Sequence, residues 1–365
     1  MKLPRSQSVL ILCAVLLTAM ACRSKPEKQL AVTSASATAT PAEPITLRGA
    51  GASFPSRLYS KWIADYGQVQ PRVQLKYQSI GSGEGVRQML AGTVDFGATE
   101  APLTEAEVRS VTKKVVLIPT VLGAVAIAYN LKGITDLKLS PETLAGIYLG
   151  KIKKWNDAKI AADNPQIDLP GSDVNAVFRS DSSGTTDVFT EYLSKVSEGF
   201  AEAVGRGKSV TWMNGVGARG SQGVLGQVKS MPGAIAYLEF GYAAANALSV
   251  AALRNKVGEF VKPSLESISS AAAGVPLSES LTGSITDSPA PGAYPISAYS
   301  YLIVQEQAAG SAKGNGMADF LWWAVHDGQQ QAAALHYAPL PPATVERVSG
   351  RIRALKSGAR QSGGG

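Results

Sequence analysis

Ile45-Thr-Leu-Arg-Gly-Ala-Gly-Ala-Ser-Phe-Pro-Ser56 carries the chain from a short apolar run through a glycine-rich turn into a helix. Ile45–Arg48 reads as a strand, and Ser56–Tyr66 brings Leu58, Trp62, Ile63 and Tyr66 round to one face, with Pro55 suited to the first turn. The same order recurs twice. Val73–Gln78 leads through Gly81-Ser-Gly-Glu-Gly85 to a helix over Val86–Leu90, and Ala176–Arg179 leads through Ser182-Ser-Gly-Thr-Thr186 to a helix over Asp187–Lys195. Strand, Gly/Ser turn and amphipathic helix in succession predict an α/β fold.

Turns of this kind build anion sites. The first N–H groups of a helix have no intrahelical partner, Gly lets a ligand approach the backbone, and a hydroxyl adds a donor. One such turn is an ordinary N-cap. Three of them, with Arg179 just upstream of the third, offer hydroxyls at Ser53, Ser82, Ser183 and Thr185 beside a guanidinium, the donor set that a dehydrated oxyanion demands. Asp181, two residues on from Arg179, either orients the arginine or serves as a turn residue.

Outward from these turns, Val94–Ala98 and Ala234–Phe240 read as strands and Pro141–Leu149 as a helix ending at Gly150. Val115–Tyr129 is long and apolar but carries Pro119 and Gly123, which predicts two buried strand segments and a crossover between lobes. A weak helix and a surface loop are expected over 264–292, a strand over Tyr294–Val304, and helices over Gly316–His326 and Pro342–Leu355. The tail 357–365 is polar, glycine-rich and expected to be disordered.

The 365 residues suffice for two lobes, and 45% hydrophobic with 17% charged residues excludes both a disordered chain and an integral membrane protein. Residues 1–21 read as a signal peptide: Lys2 and Arg5, the apolar Val9–Leu17, then small residues. Its removal takes two positive charges from the formal +7 and leaves a mild excess. The basic residues are scattered and the run Lys151–Lys154 is short, so no nucleic-acid partner is expected. Cys13 lies in the leader and Cys22 follows Ala19-Met-Ala21, so the mature chain holds no intrachain disulfide. Cys22 fits a lipid-attachment cysteine followed by a flexible tether over 22–44; the competing reading is Ala-x-Ala cleavage to a soluble protein.

Gly49-Ala-Gly-Ala-Ser-Phe-Pro55, Gly81-Ser-Gly83, Val94-Asp-Phe-Gly-Ala98, Ile147-Tyr-Leu-Gly-Lys-Ile-Lys-Lys-Trp-Asn156 and Arg179-Ser-Asp-Ser-Ser-Gly-Thr185, in this order, resemble the PstS-type phosphate-binding proteins from about Ile45 to near Val348. The resemblance implies a periplasmic-binding-protein-like (type II) fold with two lobes, a cleft and a hinge. Lobe 1 would comprise 45–130 and 294–356, and lobe 2 131–293, with crossings near Asn130 and Tyr294. It also implies phosphate contacts at Ser53, Phe54, Ser82, Glu100, Arg179, Ser183, Gly184 and Thr185, with Asp181 in support. Glu100 would accept the proton that phosphate retains and sulfate lacks. Here the chain departs from the family: Glu100 stands where Asp is usual and Ser53 where Thr is usual, and the two changes are expected to compensate in volume. Glu84, where the family commonly has a small residue, is read as a solvated first-turn residue. The partners implied are ABC-transporter permease subunits and, through them, a cytoplasmic ATPase.

The expectation is a monomeric, exported, periplasmic or cell-surface lipoprotein that binds phosphate without catalysis and needs neither cofactor nor metal. The rivals are a receptor for sulfate, molybdate or arsenate, and a phosphate-releasing hydrolase. The hydrolase lacks a cast: His326 and His336 lie far along the chain from every loop motif, and there is no Gly-x-Ser-x-Gly or P-loop lysine. A radiolabelled fatty acid is expected to be incorporated into the wild-type chain and lost in Cys22→Ala; an unlabelled wild type marks plain Ala-x-Ala cleavage.

Overall fold

The structure, a computed structural model, describes residues 43–111, 113–306 and 311–357. The expected signal peptide, Cys22 and nearly all of the tether and tail lie outside these residues. The strands are β1 (Ile45–Gly51), β2 (Val73–Ser79), β3 (Phe96–Thr99), β4 (Val115–Tyr129), β5 (Lys138–Leu139), β6 (Asn175–Arg179), β7 (Val216–Ala218), β8 (Ala234–Glu239), β9 (Ser249–Val250), β10 (Ala252–Arg254), β11 (Phe260–Val261) and β12 (Ser297–Gln305). Between and after them run α1 (Ser56–Val69), α2 (Ser82–Leu90), α3 (Glu105–Arg109), α4 (Pro141–Tyr148), α5 (Ala158–Asp163), α6 (Gly184–Val196), α7 (Glu198–Ala203), α8 (Gly220–Ser230), α9 (Phe240–Ala245), α10 (Leu265–Ala273), α11 (Ala312–Val325) and α12 (Pro342–Ser357).

The main sheet has the order β2-β1-β3-β12-β4-β8-β6-β7, with β9 on β4 and a small second sheet of β11, β10 and β5. Its two halves are joined through β4. The first part of this 15-residue strand pairs antiparallel with β12, and Val125–Tyr129 pair with β8, so one strand runs through both wings of the sheet. Two segments were expected here, and one continuous strand is found. Pro119 has no N–H for the ladder, and the chain absorbs this with a bulge: Pro119 faces Tyr301, Val121 faces Ser300, and Thr120 is the extra residue. Gly123 keeps the strand extended where the Phe54 ring lies too close for any Cβ.

The apolar run of β4 reflects cover on both faces. Val125, Ile127 and Tyr129 enter the large core, whereas Ala126 and Ala128 face a second core with Val224, Val228 and Leu238 under α8. The helices α2 and α6 begin earlier than periodicity suggested, at Ser82 and Gly184. The Gly/Ser turns therefore form the first helical turns themselves. In each wing the parallel strands β1, β2 and β6, β7 run into these turns at their carboxyl ends, the edge where open α/β sheets place ligands.

Gly85 shows how tightly α2 sits on β1: a Cβ there would lie 2.2 Å from Gly51 Cα. Gly85→Ala, which gains about 1 kcal/mol in an exposed helix, is expected here to lose about 1–3 kcal/mol in denaturant unfolding. A neutral or stabilising result would show that α2 can move off the strand.

Candidate anion-binding site

Arg179 ends β6 with 2% of its side chain exposed. Asp181 takes its Nε at 2.7 Å and Nη2 at 2.5 Å, which leaves Nη1 to donate to Ser53 Oγ at 3.1 Å. Asp181 also accepts the Gly220 N–H at 2.9 Å, so the same carboxylate holds the guanidinium and the start of α8. Burial opposes ionisation of Asp181, but the arginine and these hydrogen bonds hold its carboxyl below the usual range.

Ser53 and Phe54 come from the turn after β1. The Phe54 ring is buried in the core and its carbonyl accepts Tyr337 Oη at 2.7 Å, so what Phe54 can offer a ligand is its backbone. From the other wing, Ser183 caps α6 by accepting the Thr186 N–H, and the Gly184 N–H donates to Ser82 Oγ at 2.9 Å. Ser82 in turn donates to Glu100 Oε2 at 3.1 Å. Thr185 is buried in the first turn of α6. Gly184 admits no side chain, since a Cβ would lie 2.2 Å from Glu100 Oε2. Gly81, at φ +96°, is likewise confined by Asp181 and the Ser182 carbonyl. The structure thus brings Ser53, Ser82, Glu100, Arg179, Asp181 and Gly184 into one hydrogen-bonded cluster where the wings meet, with Ser183 and Thr185 on either side of Gly184 in the chain.

Glu84 stays apart from this cluster: it pairs with Arg87 and Gln88 on the exposed side of α2, and those bonds hold its carboxyl down at about 2. Both histidines have structural surroundings, His326 stacked on Trp322 and His336 edge-on to Phe240. Among the described residues no group of three or more His, Cys, Asp or Glu could hold a metal ion.

Three contributors were not singled out from the sequence. Ser221, in the first turn of α8, meets Ser53 Oγ at 2.8 Å; Gly217-Ala-Arg-Gly-Ser-Gln-Gly223 is a fourth Gly/Ser run into a helix and carried the same signal. Ser300 on β12 donates to Glu100 Oε1 at 3.2 Å. Glu239 caps α9 through the Gly241 and Tyr242 N–H groups and accepts Tyr337 Oη at 3.1 Å. The wings also meet directly at the rim, where Gly83 N–H donates to the Ser182 carbonyl and Lys208 Nζ bridges both Glu107 oxygens at 2.8 and 2.9 Å.

A model of the PBP superfamily domain matches residues 33–327. "Phosphate-binding protein PstS" of Xylella fastidiosa is 41% identical over 308 residues, covering 83% of this chain and 84% of that protein. The protein of the same name from Methanocaldococcus jannaschii is 40% identical over 320 residues, 81% of each chain. Among solved structures, a high-affinity periplasmic phosphate-binding protein (PfluDING) bound with phosphate shares the fold at TM-score 0.66, with 21% identity over 86% of this chain and 99% of that one. A phosphate-binding protein from Stenotrophomonas maltophilia gives a TM-score of 0.65 at 20% identity, covering 85% and 94%.

Burial pushes Glu100 up to about 7 against the opposing bonds from Ser82 and Ser300 and the Arg179 charge; it pushes Glu239 up to about 8. Because both carboxyls bind protons more tightly folded than unfolded, their stability contribution is full below about 4.5 and fades as pH rises through 7 and 8. Unfolding free energy is expected to fall by about 3–5 kcal/mol per group over that window, and Glu239→Gln to flatten the slope. A slope unchanged by Glu239→Gln would show that this carboxyl is already ionised.

Proposed function

We infer a receptor role from kinship and geometry together: the chain belongs to the PstS family of phosphate-binding proteins, within the PBP superfamily. It binds inorganic phosphate between the wings outside the cytoplasm and delivers it to an ABC importer. The observation that carries this reading is one buried carboxylate, Glu100, set among donors drawn from both wings.

Ser53, the Phe54 backbone, Ser82, Arg179, Ser183, Gly184 and Thr185 donate to phosphate oxygens, and Asp181 fixes the guanidinium plane. Glu100 accepts the remaining phosphate proton. An ionised Glu100 faces sulfate with an unsatisfied acceptor, whereas a protonated one donates to a bare oxygen. Selectivity therefore belongs to pH values above about 7, where Glu100 is charged.

The proposed lobes are 45–130 with 294–356, and 131–293; β4 and the start of β12 near these limits support the division. A permease pair docks on the rim, a cytoplasmic ATPase acts through it, and the receptor itself is a monomer held by a lipid on Cys22. No described helix is long and apolar enough to cross a membrane. Binding without turnover suits a site built of hydrogen-bond donors, and the relatives bear binding-protein names.

Calorimetric titration of the anion-stripped protein at pH 8 is expected to give one-to-one phosphate binding with sulfate weaker by roughly 10⁴ or more. Sulfate binding should appear as the pH is lowered below 7. Equal affinity for both anions at pH 8 would assign the site to another oxyanion, and no binding of either would remove the receptor role.

A further inference from the structure

Glu100 leaves the carboxyl end of β3, and its two oxygens face different parts of the molecule. Oε2 lies against Gly184 at the start of α6 and accepts from Ser82, on the side where the wings meet. Oε1 points to the neighbouring strand β12 and accepts from Ser300, a residue with no exposed surface. Ser300 stands at the register shift that Pro119 and Thr120 impose on β4. Its carbonyl accepts Thr120 Oγ1 at 3.0 Å, and that hydroxyl is paired with Tyr59 Oη at 2.7 Å. The bulge thus anchors the backbone of Ser300 while its side chain holds the carboxylate. Ser53 bonds Ser221 and Arg179.

We propose that Ser300 is the positioning residue for anion selectivity: its hydroxyl ties down Glu100 Oε1, so that Oε2 alone is presented to the proton of the bound anion. This rests on Glu100 acting as the acceptor described above. A carboxylate free to rotate would divide its lone pairs between the ligand and the interior. Deprived of one donor in a desolvated setting, it would also hold a proton more readily. The other groups near it leave that task to the serine. Arg179, from β6, favours the ionised form but is saturated by Asp181 on two of its nitrogens. Tyr59 from α1 and Tyr77 from β2 are held neutral by burial. Glu191 and Arg206 share a cavity of about 170 Å³ with Glu100 and are paired with each other.

The test titrates the full-length protein with inorganic phosphate and with sulfate from pH 5.5 to 9, as wild type, Ser300→Ala, Glu100→Gln and the double variant. Ser300→Ala is expected to weaken phosphate binding about tenfold at pH 7 and to move the pH at which sulfate begins to bind upward by about one unit. In the Glu100→Gln background, Ser300→Ala should change neither anion further, because its effect passes through the carboxylate. Ser300→Cys, a weak donor in nearly the same volume, should fall between serine and alanine and guards against a packing defect. An unmoved sulfate midpoint in Ser300→Ala, or an equal loss of phosphate binding with and without the Glu100 carboxylate, overturns the proposal. A wild type that binds phosphate but shows no pH-dependent sulfate response overturns the acceptor role of Glu100, and with it this inference.

Discussion

A guanidinium withdrawn from water must find all its partners inside the protein, and Arg179 is such a group. Its plane is fixed by the two oxygens of Asp181, and Asp181 in turn takes the first N–H of α8. The remaining nitrogen reaches the turn after β1 in the opposite wing. The Arg179 N–H donates to Tyr237 Oη, whose own neighbour is Thr186 in α6. One buried charge therefore aligns three helix starts, and leaving it without Asp181 would cost several kcal/mol. Glycine is required around it for the same reason: the carboxylates lie so close to Gly81 and Gly184 that no side chain fits.

The turn that carries Ser53 and Phe54 is held from both directions. Tyr242 of α9 donates to the Ser53 carbonyl at 3.2 Å, and Tyr337, near the C-terminal end of the chain, holds the Phe54 carbonyl. Glu239 joins these two contacts, since it caps α9 and accepts from Tyr337. Arg57 adds a bond to the Gly241 carbonyl. Carbonyl oxygens occupied in this way leave the Ser53 and Phe54 N–H groups as the side of the turn that suits an anion.

Much of this was legible in the chain because the signals were local. A Gly/Ser run after an apolar strand marks a helix start wherever it occurs, and Arg179 beside Asp181 needed only a spacing of two. Ser221 bore the same mark and could have been found. Ser300 could not: a serine in an apolar strand looks like any small core residue, and its partner is set by a bulge in a strand far away in sequence. The continuity of β4 was hidden for a related reason. Pro119 argues against a strand interior by its own chemistry, and only the pairing with β12 shows how the missing N–H is absorbed.

The order of strands also sets an order of assembly. The main-sheet strands β6, β7, β8 and β9 are all present in the sequence by Val250, whereas β12, which separates β3 from β4, arrives only with residues 297–305. Until it does, β3 and the first half of β4 each keep an open edge of unpaired backbone groups, the kind of edge that templates aggregation. A chain that emerges from its N-terminus must therefore shelter its first strands for most of its own length, and the last long strand to appear is the one that closes the sheet.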